Sequence, residues 1–132
     1  MIETSLWVDF MRRKSPVSLK LRIHPWILDP LATLCEPVAF EVLRHATPGE
    51  RPMIEAQFST LPMLPTPPEL WKDATKLGWK CREGGFTAGS LDLLIAAVAL
   101  HHNTEIVTFD ADFVSIANHA PLRVRHLPRQ ST

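Results

Sequence analysis

Helix and strand patterns alternate along the last third of the chain, and this alternation limits the possible folds more than any other feature. Ser90 is a good N-cap for a helix over residues 91–101. Residues 105–109 predict a short buried strand, because they are rich in β-branched and aromatic side chains. A helix from 112 to about 118 and a last strand around 122–127 complete the pattern. Such alternation indicates an α/β fold built on a parallel sheet.

Two further helices are indicated upstream. Apolar residues three and four positions apart predict an amphipathic helix over residues 70–81, after a stiff, extended, proline-rich connector at 62–68. Pro37 precedes a second apolar face, which places Glu41 near the start of a helix. Residues 17–23 alternate like a strand while their neighbourhood suits a helix, so the conformation of residues 17–28 stays open.

Composition restricts the class of protein. The 132 residues suit a single domain over 1–132, and 45% hydrophobic with 21% charged residues is typical of a globular chain. The longest apolar run has eight residues, so we expect no membrane-spanning helix. The first residues lack a signal-peptide pattern, which favours the cytoplasm. Cys35 and Cys81 lack the number and spacing of a disulfide scaffold or zinc site, which predicts buried, reduced thiols.

Charge is unevenly distributed, although the net charge is zero. Five bases and no acid lie within residues 10–28, whereas five acids and no base lie within residues 83–122. Carboxylates without basic neighbours need a counter-charge. A divalent metal ion would supply it, and so would basic segments from elsewhere in the fold; charge counting leaves both open.

Four acids occupy positions where a site could form. Asp110 directly follows a predicted strand, and ligands bind beyond the carboxyl ends of strands in open parallel sheets. Asp92 lies in the first turn of its helix, Glu41 lies early in another, and Glu3 follows a stub of a first strand. Taken singly, each acid is also explained as a helix-dipole, turn or surface residue.

The motifs around these acids resemble those of a known family. Residues 89–100 (GSLDLLIAAVAL) and 106–113 (IVTFDADF) together resemble the PIN domain, specifically the VapC-like ribonuclease toxins of bacterial toxin–antitoxin pairs. Residues 3–10 (ETSLWVDF) are similar to the opening motif of that family, and residues 40–44 (FEVLR) to its second acidic motif. The resemblance spans nearly the whole chain and implies a three-layer α/β/α sandwich with a short parallel central sheet.

The resemblance implies a metal-dependent endoribonuclease. The residues that it places at the metal site are Glu3, Glu41, Asp92, Asp110 and Asp112, with Thr4 or Ser5 supporting the first acid. Oxygen ligands of this kind suit Mg²⁺ or Mn²⁺, which would align a water molecule with the scissile phosphate. The family has aspartate at the position of Glu3. Either the backbone sits farther back and Glu3 ligates normally, which the short first strand favours, or Glu3 is a poor or water-mediated ligand.

The resemblance also implies an RNA substrate, an antitoxin partner and a homodimer. The candidate contacts to the RNA backbone are Arg12, Arg13 and Lys14. A solvated helix face or a contact with the antitoxin explains these bases equally well. A candidate apolar face for the dimer, equally explained by burial in the core, consists of Leu6, Trp7 and Phe10. Three further bases alternate near the end of the sequence, namely Arg123, Arg125 and Arg129. Two roles stay open for them: contact with phosphate, or keeping an edge strand soluble.

Three other functions compete with this interpretation. Residues 110–114 fit the nucleophile motif of haloacid-dehalogenase-like phosphatases, but that motif must open its fold, and only 20 residues follow Asp112 here. A receiver-like phosphoacceptor would need a late lysine, and residues 84–122 contain no Lys or Arg. A degenerate PIN module that binds RNA or a protein without cleaving it is the main alternative, and Glu3 is the one feature in its favour.

Overall fold

The computed structural model describes residues 1–130. The elements, in chain order, are α1 (Thr4–Met11), α2 (Val17–Leu28), β1 (Leu34–Cys35), α3 (Glu36–His45), α4 (Arg51–Phe58), β2 (Met63–Leu64), α5 (Leu70–Glu83), α6 (Ser90–His101), β3 (Ile106–Thr108), α7 (Asp112–Ala117) and β4 (Val124–His126). The α/β class with short parallel strands is therefore confirmed.

Residues 1–3 join two short parallel ladders into one central arrangement. β1 pairs with β2, and β3 pairs with β4. Between the ladders, the Ile2 N–H donates to the Thr33 carbonyl at 3.1 Å, and the Val107 N–H donates to the Met1 carbonyl at 2.9 Å. The resulting order is β4, β3, the stub 1–3, β1 and β2. The stub, β3 and β4 run parallel to one another, so their carboxyl ends lie at one edge, and β1 runs parallel to β2.

The helices pack around this arrangement through a continuous apolar core. α1 packs against α2, α3 and β3, while α6 packs against α3, α5 and α7. α5 and α6 approach closely where Gly78 faces Leu93, since a Cβ at position 78 would lie 2.9 Å from the Leu93 Cδ1 atom. No helix within residues 1–130 is long and apolar enough to cross a membrane. Both cysteines are buried free thiols, as predicted, and burial raises the pKa of Cys35 to about 12.

The structure corrects the predicted cap of α6. The helix begins at Ser90 itself, Gly89 occupies the N-cap position, and no side chain caps it. The extended Gly89 backbone (ψ 146°) starts the helix one residue early. The space beside Gly89 is taken by the Asp92 carboxylate, which lies 3.6 Å from where a Cβ would be.

The structure also resolves the two segments that the sequence left open. Residues 17–28 are helical, because α2 buries Leu19, Ile23 and Ile27 at helical spacing and exposes the residues that alternate with them. Leu6 and Trp7 are fully buried, so they belong to the core and not to an exposed apolar face. Phe10 is half-buried and stacks on His24 at 5.7 Å.

Candidate active site

An open cleft of about 490 Å³ lies at the carboxyl ends of the strands. Three of the acids lie next to the end of a strand or the start of a helix. Glu3 ends the stub, Asp110 lies two residues after β3, and Asp92 lies in the first turn of α6. Glu41 reaches the cleft from the middle of α3. The structure thus brings Glu3, Glu41, Asp92 and Asp110 into one cleft.

Three carboxylates form a tighter group within this region. Oxygen atoms of Asp92, Asp110 and Asp112 lie within 4.8 Å of one another. The Asp112 N–H donates to the Asp110 Oδ1 atom at 2.9 Å, which fixes the turn between β3 and α7 and holds the two acids together. Carboxylate oxygens so close together have the chemistry that hard divalent cations prefer.

The Asp92 carboxyl shows the electrostatic cost of this grouping. Its pKa is raised to about 7, first by burial and then by the neighbouring carboxylates of Asp110, Glu3, Glu41 and Asp112. No side-chain hydrogen bond to Asp92 lies within residues 1–130 to offset these effects. A cation in the cleft would lower the pKa of Asp92, because opposite charge favours the ionised form of a carboxyl group. The donor set therefore fits a divalent metal ion.

Glu3 is held by three hydrogen bonds to a single oxygen. Its Oε1 atom accepts from the Ser5 N–H at 3.0 Å, from the Ser5 hydroxyl at 2.6 Å and from the Thr108 hydroxyl at 2.6 Å. Burial raises the pKa of Glu3, while these hydrogen bonds act in the opposite direction. The extra methylene relative to aspartate is accommodated by this contact with Ser5 and Thr108. The Oε2 atom takes part in none of the three bonds.

The same hydroxyl groups connect Glu3 to the end of β3. The Ser5 hydroxyl accepts from the Phe109 N–H at 2.9 Å, and the Thr108 hydroxyl accepts from the Asp110 N–H at 2.8 Å. Glu3 therefore fixes the backbone that carries Asp110. Of the two residues expected to support the first acid, Ser5 does so. Thr4 supports Glu41 instead, since its hydroxyl donates to the Glu41 Oε1 atom at 2.5 Å.

The three candidate RNA-binding bases after α1 do not all lie at the cleft. Arg12 lines the cleft. Arg13 and Lys14 are exposed in the turn after α1 and do not line it.

The sequence interpretation gave one cleft residue, Asp9, no role, and it left the role of another, Arg129, open between reaching phosphate and keeping an edge strand soluble. Asp9 is buried in α1, and its Oδ2 atom accepts from the Arg129 Nε–H at 2.8 Å. The available signal for Asp9 was an acid within an otherwise apolar segment, residues 6–11. Arg129 was one of three alternating bases, and nothing in the sequence distinguished it from the other two.

Comparison with known proteins identifies the family. Residues 1–118 match the PIN domain. The chain belongs to the PIN-domain family. This PIN domain is 31% identical over 122 residues to "Ribonuclease VapC11" of Mycobacterium tuberculosis, covering 89% of this chain and 90% of that protein. The predicted resemblance to VapC-like ribonucleases is therefore confirmed, and the phosphatase and receiver interpretations are excluded.

Solved structures agree on the fold. The PIN domain superposes with a TM-score of 0.76 on a chain of VapBC2 from Rickettsia felis, solved bound to a promoter DNA fragment, at 17% identity and with 96% and 97% of the two chains covered. It also superposes with a TM-score of 0.71 on a chain of VapBC-1 from nontypeable Haemophilus influenzae, at 19% identity and 96% coverage of both chains. The predicted PIN-like sandwich is thereby confirmed.

Proposed function

We propose that this PIN domain is a Mg²⁺- or Mn²⁺-dependent endoribonuclease and the toxin component of a toxin–antitoxin pair. The observation that carries the proposal is the group of Asp92, Asp110 and Asp112 in a chain 31% identical to a named ribonuclease. Residues 1–132 form its single domain, and it acts in the cytoplasm on RNA. The antitoxin follows from the toxin–antitoxin complexes among its structural relatives.

The residues proposed to hold the metal are Asp92, Asp110 and Asp112, together with Glu3 and Glu41 at the wall of the cleft. A bound divalent cation lowers the pKa of a water molecule and offsets negative charge on a scissile phosphate. Glu3 orients Asp110 through Ser5 and Thr108, and Thr4 orients Glu41. Hydrolysis adds one water molecule across a P–O bond, and the leaving oxygen takes up a proton.

The proposal predicts metal-dependent cleavage. Purified protein should cut a structured RNA in the presence of Mg²⁺ or Mn²⁺, and excess EDTA should stop cleavage because the clustered carboxylates lose their cation. Product analysis on denaturing gels measures this, and restoration by added Mn²⁺ controls for damage by the chelator. RNA binding with no cleavage under either metal would instead support the degenerate, non-cleaving PIN module.

We propose in addition that the chain forms a homodimer. Large apolar side chains remain exposed along the outer face of α2 and just beyond it, namely Val17, Leu21, Leu28 and Leu31. Exposed apolar groups that cluster in this way favour a protein interface. We expect light scattering at micromolar concentration to give twice the mass of one chain. A strict monomer under those conditions would contradict the dimer.

A further inference from the structure

The segment after β4 runs along the edge of the sheet that carries the cleft. The Leu127 N–H donates to the Thr108 carbonyl at 2.9 Å, which extends the ladder between β3 and β4 by one step. The His126 ring nitrogen Nε2 lies 3.1 Å from the Phe109 carbonyl. The chain is thus attached to the end of β3, immediately before Asp110, and Arg129, three residues after His126, lines the acidic cleft.

A second element fixes this segment from the other side. Arg22 of α2 donates through one terminal nitrogen to the Pro128 carbonyl at 3.0 Å and through the other to the Arg129 carbonyl. Both backbone carbonyls are therefore held by a single guanidinium from a different helix. Arg129, whose carbonyl is one of the two, contacts Asp9 of α1 and lines the cleft.

The side chain of Arg129 is oriented by two contacts. Its Nε–H donates to the Oδ2 atom of the buried Asp9, and its guanidinium lies over the Phe109 ring, 5.2 Å from the ring centroid. These contacts use one edge and one face of the group. Its two terminal nitrogens donate no hydrogen bond to any residue within 1–130. Arginine presents these nitrogens as a rigid fork that matches phosphate oxygens.

The charges that line the cleft indicate what the Arg129 guanidinium would bind. The cleft lining contains five carboxylates, and only Arg12 and Arg129 supply positive charge among the described residues. RNA is a polyanion, so its backbone needs cations beside the metal-binding acids. Arg12 is an exposed residue that ends α1, with no ion pair within residues 1–130, whereas Arg129 is fixed by Asp9, Phe109 and the Arg22 contacts.

We propose that Arg129 binds an RNA backbone phosphate at the rim of the cleft, and that Asp9 is the positioning residue that aims it. The inference rests on the proposed ribonuclease function and deepens it, because it names the residue that receives the substrate backbone. The Arg129 side chain is 56% exposed, so solvent screens this ion pair and limits what it adds to the stability of the fold. Its consequence is therefore orientation of the guanidinium.

Arg125 provides a matched control. Like Arg129 it joins an ion pair and lies over an aromatic ring, with Glu105 at 3.5 Å and the Trp26 ring centroid at 5.7 Å. Its side chain is 55% exposed, against 56% for Arg129. Arg125 does not line the cleft. The two residues therefore differ mainly in whether they line the cleft.

The test measures binding separately from cleavage. A short fluorescein-labelled oligouridylate is titrated in EDTA, and again with Mn²⁺ in the Asp92→Asn background, and anisotropy gives the affinity. We expect Arg129→Gln to weaken binding about tenfold and to reduce the slope of log affinity against log salt by about 0.7, the value for one lost single-strand phosphate contact. In cleavage assays KM should rise while kcat changes little. Arg129→Lys should restore part of the affinity, Asp9→Asn should lose part of it, and Arg125→Gln should leave it unchanged.

The outcomes separate this inference from the proposed function. Equal losses in Arg129→Gln and Arg125→Gln would overturn the inference, because they would indicate an effect on the fold or on general charge. Unchanged affinity and salt slope in Arg129→Gln, with a wild type that cleaves RNA, would overturn the inference and leave the ribonuclease intact. A wild type that neither binds nor cleaves RNA would overturn the ribonuclease function, and the inference with it.

Discussion

Asp92→Asn is expected to reduce RNA cleavage by about a thousandfold or more, because it removes one charged oxygen ligand from the three-carboxylate group. The substitution changes the volume of the side chain very little, so the fold should be retained. Rates of cleavage with Mn²⁺ measure the effect, and circular dichroism checks the fold.

Asp73→Asn is the matched control for this experiment. Asp73 is an exposed acid in the first turn of α5, as Asp92 is an acid in the first turn of α6, but it lies away from the cleft. We expect Asp73→Asn to cleave like the wild type. Undiminished cleavage by Asp92→Asn, in a preparation free of contaminating nuclease, would contradict the assigned active site.

The same variant should be more stable than the wild type in the absence of metal. The pKa of Asp92 is raised from 3.8 to about 7 in the folded chain, first by burial and then by its acidic neighbours. Folding therefore costs free energy whenever the carboxyl must ionise, and this cost grows as pH rises from about 4 to about 7. Asparagine avoids it. Partial exposure screens the effect, so we expect a gain of about 1–2 kcal/mol at pH 8 and almost none at pH 4.

Urea unfolding in EDTA at several pH values measures this gain. The free energy of unfolding of Asp92→Asn, relative to wild type, should increase with pH through this range and then level off. A variant less stable than the wild type at pH 8 would show that the acids do not repel one another in the metal-free protein.

Glu3→Asp is expected to weaken both metal binding and stability. The shorter side chain cannot maintain the hydrogen bonds that Ser5 and Thr108 now donate to the Oε1 atom. Buried hydroxyl groups without an acceptor cost about 1–3 kcal/mol each. Because Thr108 also holds the Asp110 N–H, the backbone of Asp110 should loosen and cleavage should fall by tenfold or more.

Glu3→Gln separates the charge of Glu3 from its hydrogen bonds. Glutamine keeps an acceptor oxygen for Ser5 and Thr108, so its stability should remain near that of the wild type, while Mn²⁺ affinity falls about tenfold. Calorimetric titration with Mn²⁺ and urea unfolding measure the two effects. Glu55→Asp, an exposed acid on α4, serves as the control. Equal Mn²⁺ affinities in the wild type, Glu3→Asp and Glu3→Gln would show that Glu3 is no ligand. Tighter Mn²⁺ binding by Glu3→Asp would show that glutamate is a poor ligand at this position.

The parts of the site that the sequence predicts are those determined by local spacing. Asp92 follows the start of α6 by two residues, and Asp110 follows the end of β3 by two residues, so the helix and strand patterns alone place both acids. In an open parallel sheet, ligands bind beyond the carboxyl ends of the strands, and this rule predicts that both acids lie at that edge. The shared motifs identify Glu3 and Glu41, whose own surroundings are less distinctive.

The remaining features depend on contacts between distant residues. The pair formed by Asp9 and Arg129 joins positions 120 apart, and no local pattern announces it. β1 and β2 have two residues each, too few for a period to be recognised. α2 carries apolar residues on both its buried and its exposed sides, which gives it the alternation of a strand.

The central position of residues 1–3 has a consequence for the order of folding. Their neighbours in the sheet are Thr33 on one side and Val107 on the other, and the hydroxyl that secures Glu3 belongs to Thr108, 105 positions away. Closing a loop of that length is slow, and it requires the distant segment to be present. A growing chain that already contains Glu3, Glu41 and Asp92 therefore still lacks a finished cleft. The nuclease centre can be assembled only after the segment that carries Thr108 and Asp110 has been synthesised, so shorter chains lack the centre that would attack RNA.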